Sequence, residues 1–207
     1  HGLHGGWLLI TVATQSLTVL GVPLASLLPK RANVLFFVSI TFHLAGLTLY
    51  FIVITLIVYR FSFYPVQPDA LIPPYWINMG AVAITTLAGA TLVSREAASP
   101  LVASLSPVLR GGTWLAWSTG TWWIPLLLLL GLWRHGYKRV AFRYDPQYWG
   151  MVFPLGMYAT CTDAFARTMH IPFLVPVSQA FAYIALVAWL AVFAGLLQRW
   201  FDLARQH

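Results

Sequence analysis

The chain alternates long apolar stretches with short polar ones. Four long stretches carry no charged residue, and they lie between Arg31 and Arg60, Asp69 and Arg95, Arg110 and Arg134, and Arg167 and Arg199. Each is long enough to cross roughly 30 Å of hydrocarbon as an α-helix. None shows the alternation over about ten residues that is typical of membrane barrel strands. The pattern therefore predicts membrane-spanning helices.

We predict six helices, numbered α1 to α6 in chain order. They cover about 7–28, 33–59, 73–94, 113–133, 147–168 and 172–199. Helix α5 has the shortest uncharged core, because Asp163 and Arg167 lie in its last turns. We thus expect an all-α, polytopic membrane helix bundle that forms one transmembrane domain over residues 1–207.

Composition supports the same class of protein. Charged residues make up 8% of the chain, hydrophobic residues 59% and aromatic residues 15%, which is too apolar for a soluble surface. The formal net charge of +7 fits contact with anionic lipid headgroups. We expect membrane lipids as partners and no nucleic acid, since the basic residues form short caps on the spans.

Three of the six helices carry a stripe of small and polar residues at helical spacing. On α1 the stripe is Thr11, Gln15, Thr18, Val22 and Ala25; on α3 it is Asn78, Ala81, Thr85 and Gly89; on α5 it is Trp149, Phe153, Gly156, Thr160, Ala164 and Arg167. Helices α2, α4 and α6 are apolar nearly all round, which suits a lipid-facing position. The chain is thus predicted to form three hairpins, each with an inner helix followed by an outer one.

The stripes have two interpretations. Small residues and hydroxyls allow membrane helices to pack closely and to hydrogen-bond across the contact. The same residues can line a wet pathway, and each inner helix also contains a helix-disturbing residue, such as Pro23, Gly80, Gly89 or Pro154. Backbone groups freed at such breaks are tolerated where they are buried in protein or face a water-filled cavity. Both interpretations stay open from these residues alone.

The chemistry of the stripes favours anions over cations. Their central turns contain hydroxyls, amides and glycines but no carboxylate, whereas cation pathways commonly use rings of Asp or Glu. Arg167 and Arg95 lie at the ends of inner helices, where they could concentrate anions at one mouth of a pathway. Asp163 precedes Arg167 by four residues and could neutralise it instead, and Arg95 could simply extend to the headgroups.

Other functional classes find little support in the sequence. No catalytic pair of nucleophile and base and no metal-ligand cluster occurs at a usable spacing, so we expect no enzyme, no metal and no cofactor. His43 lies near the middle of α2, where an ionisable group is a functional candidate, although a neutral histidine bonded to a neighbouring helix is the commoner case. A structural or accessory subunit without transport activity is the alternative.

The positive-inside rule gives an orientation. One side of the predicted membrane topology holds seven basic residues, namely Arg60, Arg134, Lys138, Arg139, Arg143, Arg199 and Arg205, and the other side holds Lys30, Arg31, Arg95, Arg110 and Arg167. We therefore expect a multi-pass protein of the cytoplasmic membrane with both chain ends in the cytoplasm.

Three segments resemble a known family of membrane proteins. They are "ATQSL" in α1, "YWINMGAVAIT" in α3 and "VFPLGMYATCT" in α5. They are similar to the corresponding spans of the tellurite-resistance/dicarboxylate transporter family, which includes the bacterial tellurite-resistance protein, fungal malate and sulfite carriers and plant slow anion channels. The resemblance runs over nearly the whole chain, and the segment in α5 is the most specific.

The resemblance implies ten helices in five hairpins, with the odd-numbered helices around a central pore and three subunits in a trimer. Helices α1 to α6 would be the fifth to tenth spans, and the first four would be missing from this chain. It also implies that Phe153 plugs the pore. The expected function is an anion channel or transporter for a small inorganic anion or a C4-dicarboxylate, with Thr11, Gln15, Thr18, Asn78, Thr85, Gly89, Gly156 and Thr160 lining the pore and Arg167 attracting anions at its mouth.

Overall fold

The protein folds into six α-helices in the computed structural model, which describes residues 3–65, 71–140 and 144–205. The helices are α1 (Leu9–Leu27), α2 (Ala32–Phe63), α3 (Ile77–Val93), α4 (Pro100–Leu132), α5 (Trp149–Thr168) and α6 (Val175–Ala204). No strand occurs within those three ranges. The predicted all-α bundle is confirmed.

Short 3-10 turns that begin with proline precede four of the helices. They are Pro29–Arg31 before α2, Pro73–Trp76 before α3, Pro146–Tyr148 before α5 and Pro172–Leu174 before α6. Proline suits the first turn of a helix because its fixed φ is already helical and its missing N–H would have no partner there. These prolines mark where each chain reversal ends.

Helix α4 begins much earlier than predicted. The sequence pattern placed its start at residue 113, whereas the helix starts at Pro100. Ser99 caps this end by accepting a hydrogen bond from the backbone N–H of Val102 at 3.4 Å, which is a common way to start a helix. The prediction is wrong because a charged residue followed by two glycines, as at Arg110, is typical of a loop. The helix tolerates Arg110 because Glu96 neutralises it, with 2.8 Å between Nη2 and Oε2.

The helices pack as three antiparallel hairpins arranged in two rows. Helix α3 is the central element, and it contacts α1 and α5 within its own row and α4 and α2 in the other. Helix α6 packs mainly on α5, so most of its surface is exposed. The inner and outer assignment of the helices therefore agrees with the predicted alternation.

Contacts between the ends of the helices define two opposite ends of the bundle. At one end, Gly5 lies against the backbone of Pro74, and Gly150 also approaches Pro74. At the other end, the Thr168 hydroxyl donates to the carbonyl of Ala90 on α3. We call the end with Gly5 and Pro74 the first end. Successive helices therefore run in opposite directions between the two ends of the bundle.

Among the residues that the structure describes, five helical segments are long and apolar enough to cross a membrane, namely Gly5–Leu27, Pro29–Phe63, Pro73–Val93, Pro100–Tyr137 and Pro172–Ala204. Helix α5 is not among them, although it was predicted as a sixth span. Its 20 residues give a length of about 30 Å, and it packs beside α3 and α6. The reason is its composition, since glycines, threonines, Asp163 and Arg167 lower its hydropathy.

Candidate functional site

The α5 stripe lies on the one side of that helix which its neighbours leave uncovered. Phe153, Thr160 and Arg167 are exposed, and Gly156 is half-buried between them. The opposite side of α5 is buried, and its buried residues are Pro154, Leu155, Tyr158, Ala159, Cys161, Thr162, Phe165 and Ala166. We call Phe153, Gly156, Thr160 and Arg167 the α5 face.

A close contact between α3 and α5 fixes the rotation of α5. A Cβ atom at Gly80 would lie 2.8 Å from Cγ of Pro154, so the proline ring rests on bare α3 backbone. Because neighbouring residues on a helix are about 100° apart, the preceding Phe153 must turn away from this contact. Its side chain is 43% exposed.

The α5 face is open around its glycine. No heavy atom lies within 4 Å of a Cβ built at Gly156. One turn further, the Thr160 hydroxyl donates to the carbonyl of Gly156 at 3.0 Å. The face therefore presents an aromatic ring, bare backbone and a hydroxyl oxygen with free lone pairs.

Arg167 closes the α5 face at the opposite end of the bundle. Its Nε donates to Oδ2 of Asp163 at 2.8 Å, in an ion pair four residues apart on the same helix. The predicted neutralisation by Asp163 is therefore present in the structure. Such an exposed pair contributes little to stability, and the Arg167 side chain stays 74% exposed.

The α1 stripe is buried within the protein. Thr11, Gln15 and Thr18 have no exposed surface. The Thr18 hydroxyl donates to the carbonyl of Ser39 on α2 at 2.8 Å. This stripe therefore joins α1 to α2, as the packing interpretation describes.

Gln15 and His43 form a reciprocal pair between these two helices. The Gln15 amide Nε2 donates to the His43 carbonyl at 3.0 Å, and Gln15 Oε1 lies 3.0 Å from His43 Nδ1. Since the amide oxygen can only accept, Nδ1 carries the proton and donates to it. Gly46 makes room for the pair, because a Cβ there would lie 2.6 Å from Gln15 Nε2. His43 is thus the hydrogen-bonded histidine that the sequence analysis gave as the commoner case.

The α3 stripe is also buried. Asn78, Thr85 and Gly89 lie inside the bundle, and Gly89 packs against Thr113 of α4 and the His43 ring. The Thr85 hydroxyl donates to the Ala81 carbonyl of its own helix at 2.7 Å. The α1 and α3 stripes therefore lie between helices, whereas the α5 face lies at an uncovered surface.

Sequence reasoning missed a buried polar relay beside Asn78. Trp123 Nε1 of α4 donates to the hydroxyl of Tyr50 at 2.9 Å, and that hydroxyl donates to the Asn78 carbonyl at 3.2 Å. Tyr50 and Trp123 are among the most deeply buried side chains of the described chain. The available signal was the spacing of His43, Gly46 and Tyr50 along one side of α2.

In the described ranges, no three His, Cys, Asp or Glu side chains come together. Cys161 is the single cysteine of the sequence, and its side chain is buried. Arg143 is one of the seven basic residues that gave the predicted orientation, and it lies outside the described residues.

Long apolar helices packed around the buried helix α3 define a polytopic helical membrane protein. The chain belongs to the voltage-dependent anion channel family, SLAC1, which matches residues 1–197. This agrees with the resemblance found in α1, α3 and α5.

Relatives of the chain are named as membrane proteins and transporters. An uncharacterized membrane protein of Mycobacterium tuberculosis is 38% identical over 149 residues, which is 72% of this chain and 75% of that protein. An uncharacterized transporter of Methanocaldococcus jannaschii is 28% identical over 118 residues, which is 57% of this chain and 33% of that protein. No solved structure matches the chain.

Proposed function

We propose that this chain forms part of a pathway for a small anion, and that the α5 face lines the pathway with Phe153 as its gate. Family membership supports an anion channel or transporter in general. The observation that carries the finer proposal is the contact of Pro154 with Gly80, which directs Phe153 to the uncovered side of the inner row. An aromatic ring at that position can close a narrow passage, and rotation about its side-chain bonds can open it.

The surface beyond the gate suits transit rather than tight binding. Gly156 and Thr160 offer no carboxylate and no fixed positive charge, so an anion would meet no deep energy well. Arg167 raises the local anion concentration at the opposite end, although Asp163 offsets part of its charge. We therefore assign Phe153, Gly156 and Thr160 to the lining and Arg167 to the mouth.

The other six predicted lining residues take a different role in this proposal. Thr11, Gln15 and Thr18 hold α1 against its neighbours, while Asn78, Thr85 and Gly89 lie in the contacts of the central helix. A pore-lining role for them remains a prediction on which the proposal does not rest. Their rigid packing would instead hold the inner row in place while the gate moves.

The wider assembly follows the family resemblance. We propose that further inner helices close the pathway opposite the α5 face, and that the complete protein is a trimer with one pathway in each subunit. Both chain ends would lie on the cytoplasmic side of the cell membrane, since the first end carries the larger set of basic residues.

The test replaces Phe153 by alanine in the complete protein, reconstituted into liposomes with chloride, nitrate, sulfite and malate offered in turn. Removing the ring opens the passage, so anion flux should rise several-fold. Phe42→Ala is the matched control, because Phe42 is an outward side chain of α2 with a similar exposure of 36%. Equal flux in all three proteins would refute the gate. No flux in any of them would favour an accessory subunit over a transporter.

A further inference from the structure

A pocket of about 360 Å³ lies at the first end of the bundle, outside the α5 face. Its walls come from three elements: the proline-led turn before α3, the last turns of α4 and the first turn of α5. Tyr75 and Trp76 form one wall, Leu128 and Leu132 another, and Met151 a third. Aromatic residues at a helix end are typical of the membrane–water interface, which places the pocket at headgroup level.

A change in helix type shapes this pocket. Helix α4 does not stop at Leu132 but widens into a π-helical turn over Trp133–Tyr137. Such turns are rare and frequently occur at functional sites. The turn places Arg134 on the pocket wall at the junction of the apolar groove with water.

Arg134 differs from the other pocket residues in having an unmet hydrogen-bonding group. Its Nε is buried and has no hydrogen-bond partner. By contrast, Arg60 at the same end donates to the Tyr75 hydroxyl at 3.1 Å and to the Leu3 carbonyl. A buried guanidinium donor without an acceptor is costly unless a ligand supplies one.

More positive charge follows Arg134 in the chain. Lys138 lies 5.3 Å from the centre of the Trp133 ring and 5.4 Å from that of Tyr137. Arg139 follows as an exposed residue whose backbone lies in the left-handed region, at φ 52°. Neither Lys138 nor Arg139 lines the pocket, so Arg134 is the cation that a phosphate in the pocket would meet.

The pocket also opens sideways onto the surface that faces lipid. Leu128 and Leu132 line it and are 53% and 68% exposed. An acyl chain can lie along these leucines while its headgroup reaches Arg134. Basic pockets between membrane helices on the cytoplasmic side are typical binding sites for anionic lipid headgroups.

We propose that this pocket binds one anionic phospholipid, with its phosphate on Arg134 and one acyl chain in the groove of Leu128 and Leu132. Charge complementarity selects a negatively charged headgroup, and the apolar walls select a lipid over a free anion. This inference is independent of the proposed pathway, because no residue of the α5 face lines the pocket.

Native mass spectrometry of the purified full chain tests the proposal, with phosphatidylglycerol and phosphatidylcholine of the same acyl chains as competing probes. The wild-type protein should retain one phosphatidylglycerol in preference. Arg134→Gln should lower that preference about fivefold, as expected for one cation at the membrane surface. Arg199→Gln is the control, since it removes a positive charge from exposed α6 surface outside the pocket.

A second pair of variants tests the groove itself. No atom lies within 4 Å of a Cβ at Gly131, which lines the pocket, or at Gly111, which does not. Gly131→Leu should fill the groove and release the lipid, whereas Gly111→Leu should leave binding unchanged. The proposal is overturned if Arg199→Gln acts as strongly as Arg134→Gln. It is equally overturned if Gly131→Leu retains the lipid, which would mean that another segment of the protein occupies the pocket.

Discussion

The Gln15–His43 pair should be a measurable part of the stability of the α1–α2 hairpin. Replacing Gln15 by leucine keeps a similar volume beside Gly46 but removes both 3.0 Å hydrogen bonds. The His43 carbonyl keeps its partner within α2, whereas the Nδ1–H loses its only acceptor on α1. Interhelical hydrogen bonds in membranes contribute about 0.6 kcal/mol on average and at most about 1.7. Two such bonds give an expected loss of about 1–3 kcal/mol.

The assay is reversible unfolding in mixed micelles, followed by tryptophan fluorescence and circular dichroism. Thr14→Val is the control on the same helix, because the Thr14 hydroxyl bonds only to the Ile10 carbonyl one turn earlier, at 2.7 Å. The control should change the free energy of unfolding by a few tenths of a kcal/mol.

A double-mutant cycle separates the pair from general packing. Each single variant leaves one polar side chain of the pair buried without its partner, whereas the double variant Gln15→Leu with His43→Leu leaves neither. The double variant should therefore lose less stability than the sum of the two single losses, by about 0.5–2 kcal/mol. Strict additivity, or a Gln15→Leu protein as stable as Thr14→Val, would refute the reasoning.

Two further predictions concern the opposite end of the bundle and the α5 face. The hydrogen bond from Arg110 holds the pKa of Glu96 below its ordinary value, so the pair stabilises the fold above that ordinary value of about 4.3. This stability should be lost as the pH falls through the lowered pKa, and Glu96→Gln should remove the acid dependence in unfolding measured from pH 7 to 3. Gly156→Leu should block anion flux by filling the open space on the α5 face, and Gly111→Leu should not; equal flux in both would contradict the lining role.

The hydropathy pattern was sufficient for most of the fold. Apolar runs located six helices, and helical spacing grouped the residues of the α1 stripe on one face. The predicted α1 stripe coincides with the residues that the structure buries on that helix. The start of α4 was missed because a charged residue flanked by glycines is typical of a loop, and only the partner at Glu96 makes it compatible with a helix.

What the stripes contact could not be derived from the sequence. Glycines, threonines and amides suit a tight helix contact and a wet pathway equally well, because both need small side chains with hydrogen-bonding capacity. Only the tertiary structure shows that the α1 stripe is a packed contact, with Gln15 against His43, and that Phe153 lies on an uncovered side, away from the contact of Pro154 with Gly80. The sequence by itself determined that this is a helical membrane protein, and on α1 it identified the residues that share the buried face. The rotation of each helix against its neighbours depends on contacts between residues far apart in the chain. These contacts decided that the α1 stripe is packed and that the α5 face is left uncovered.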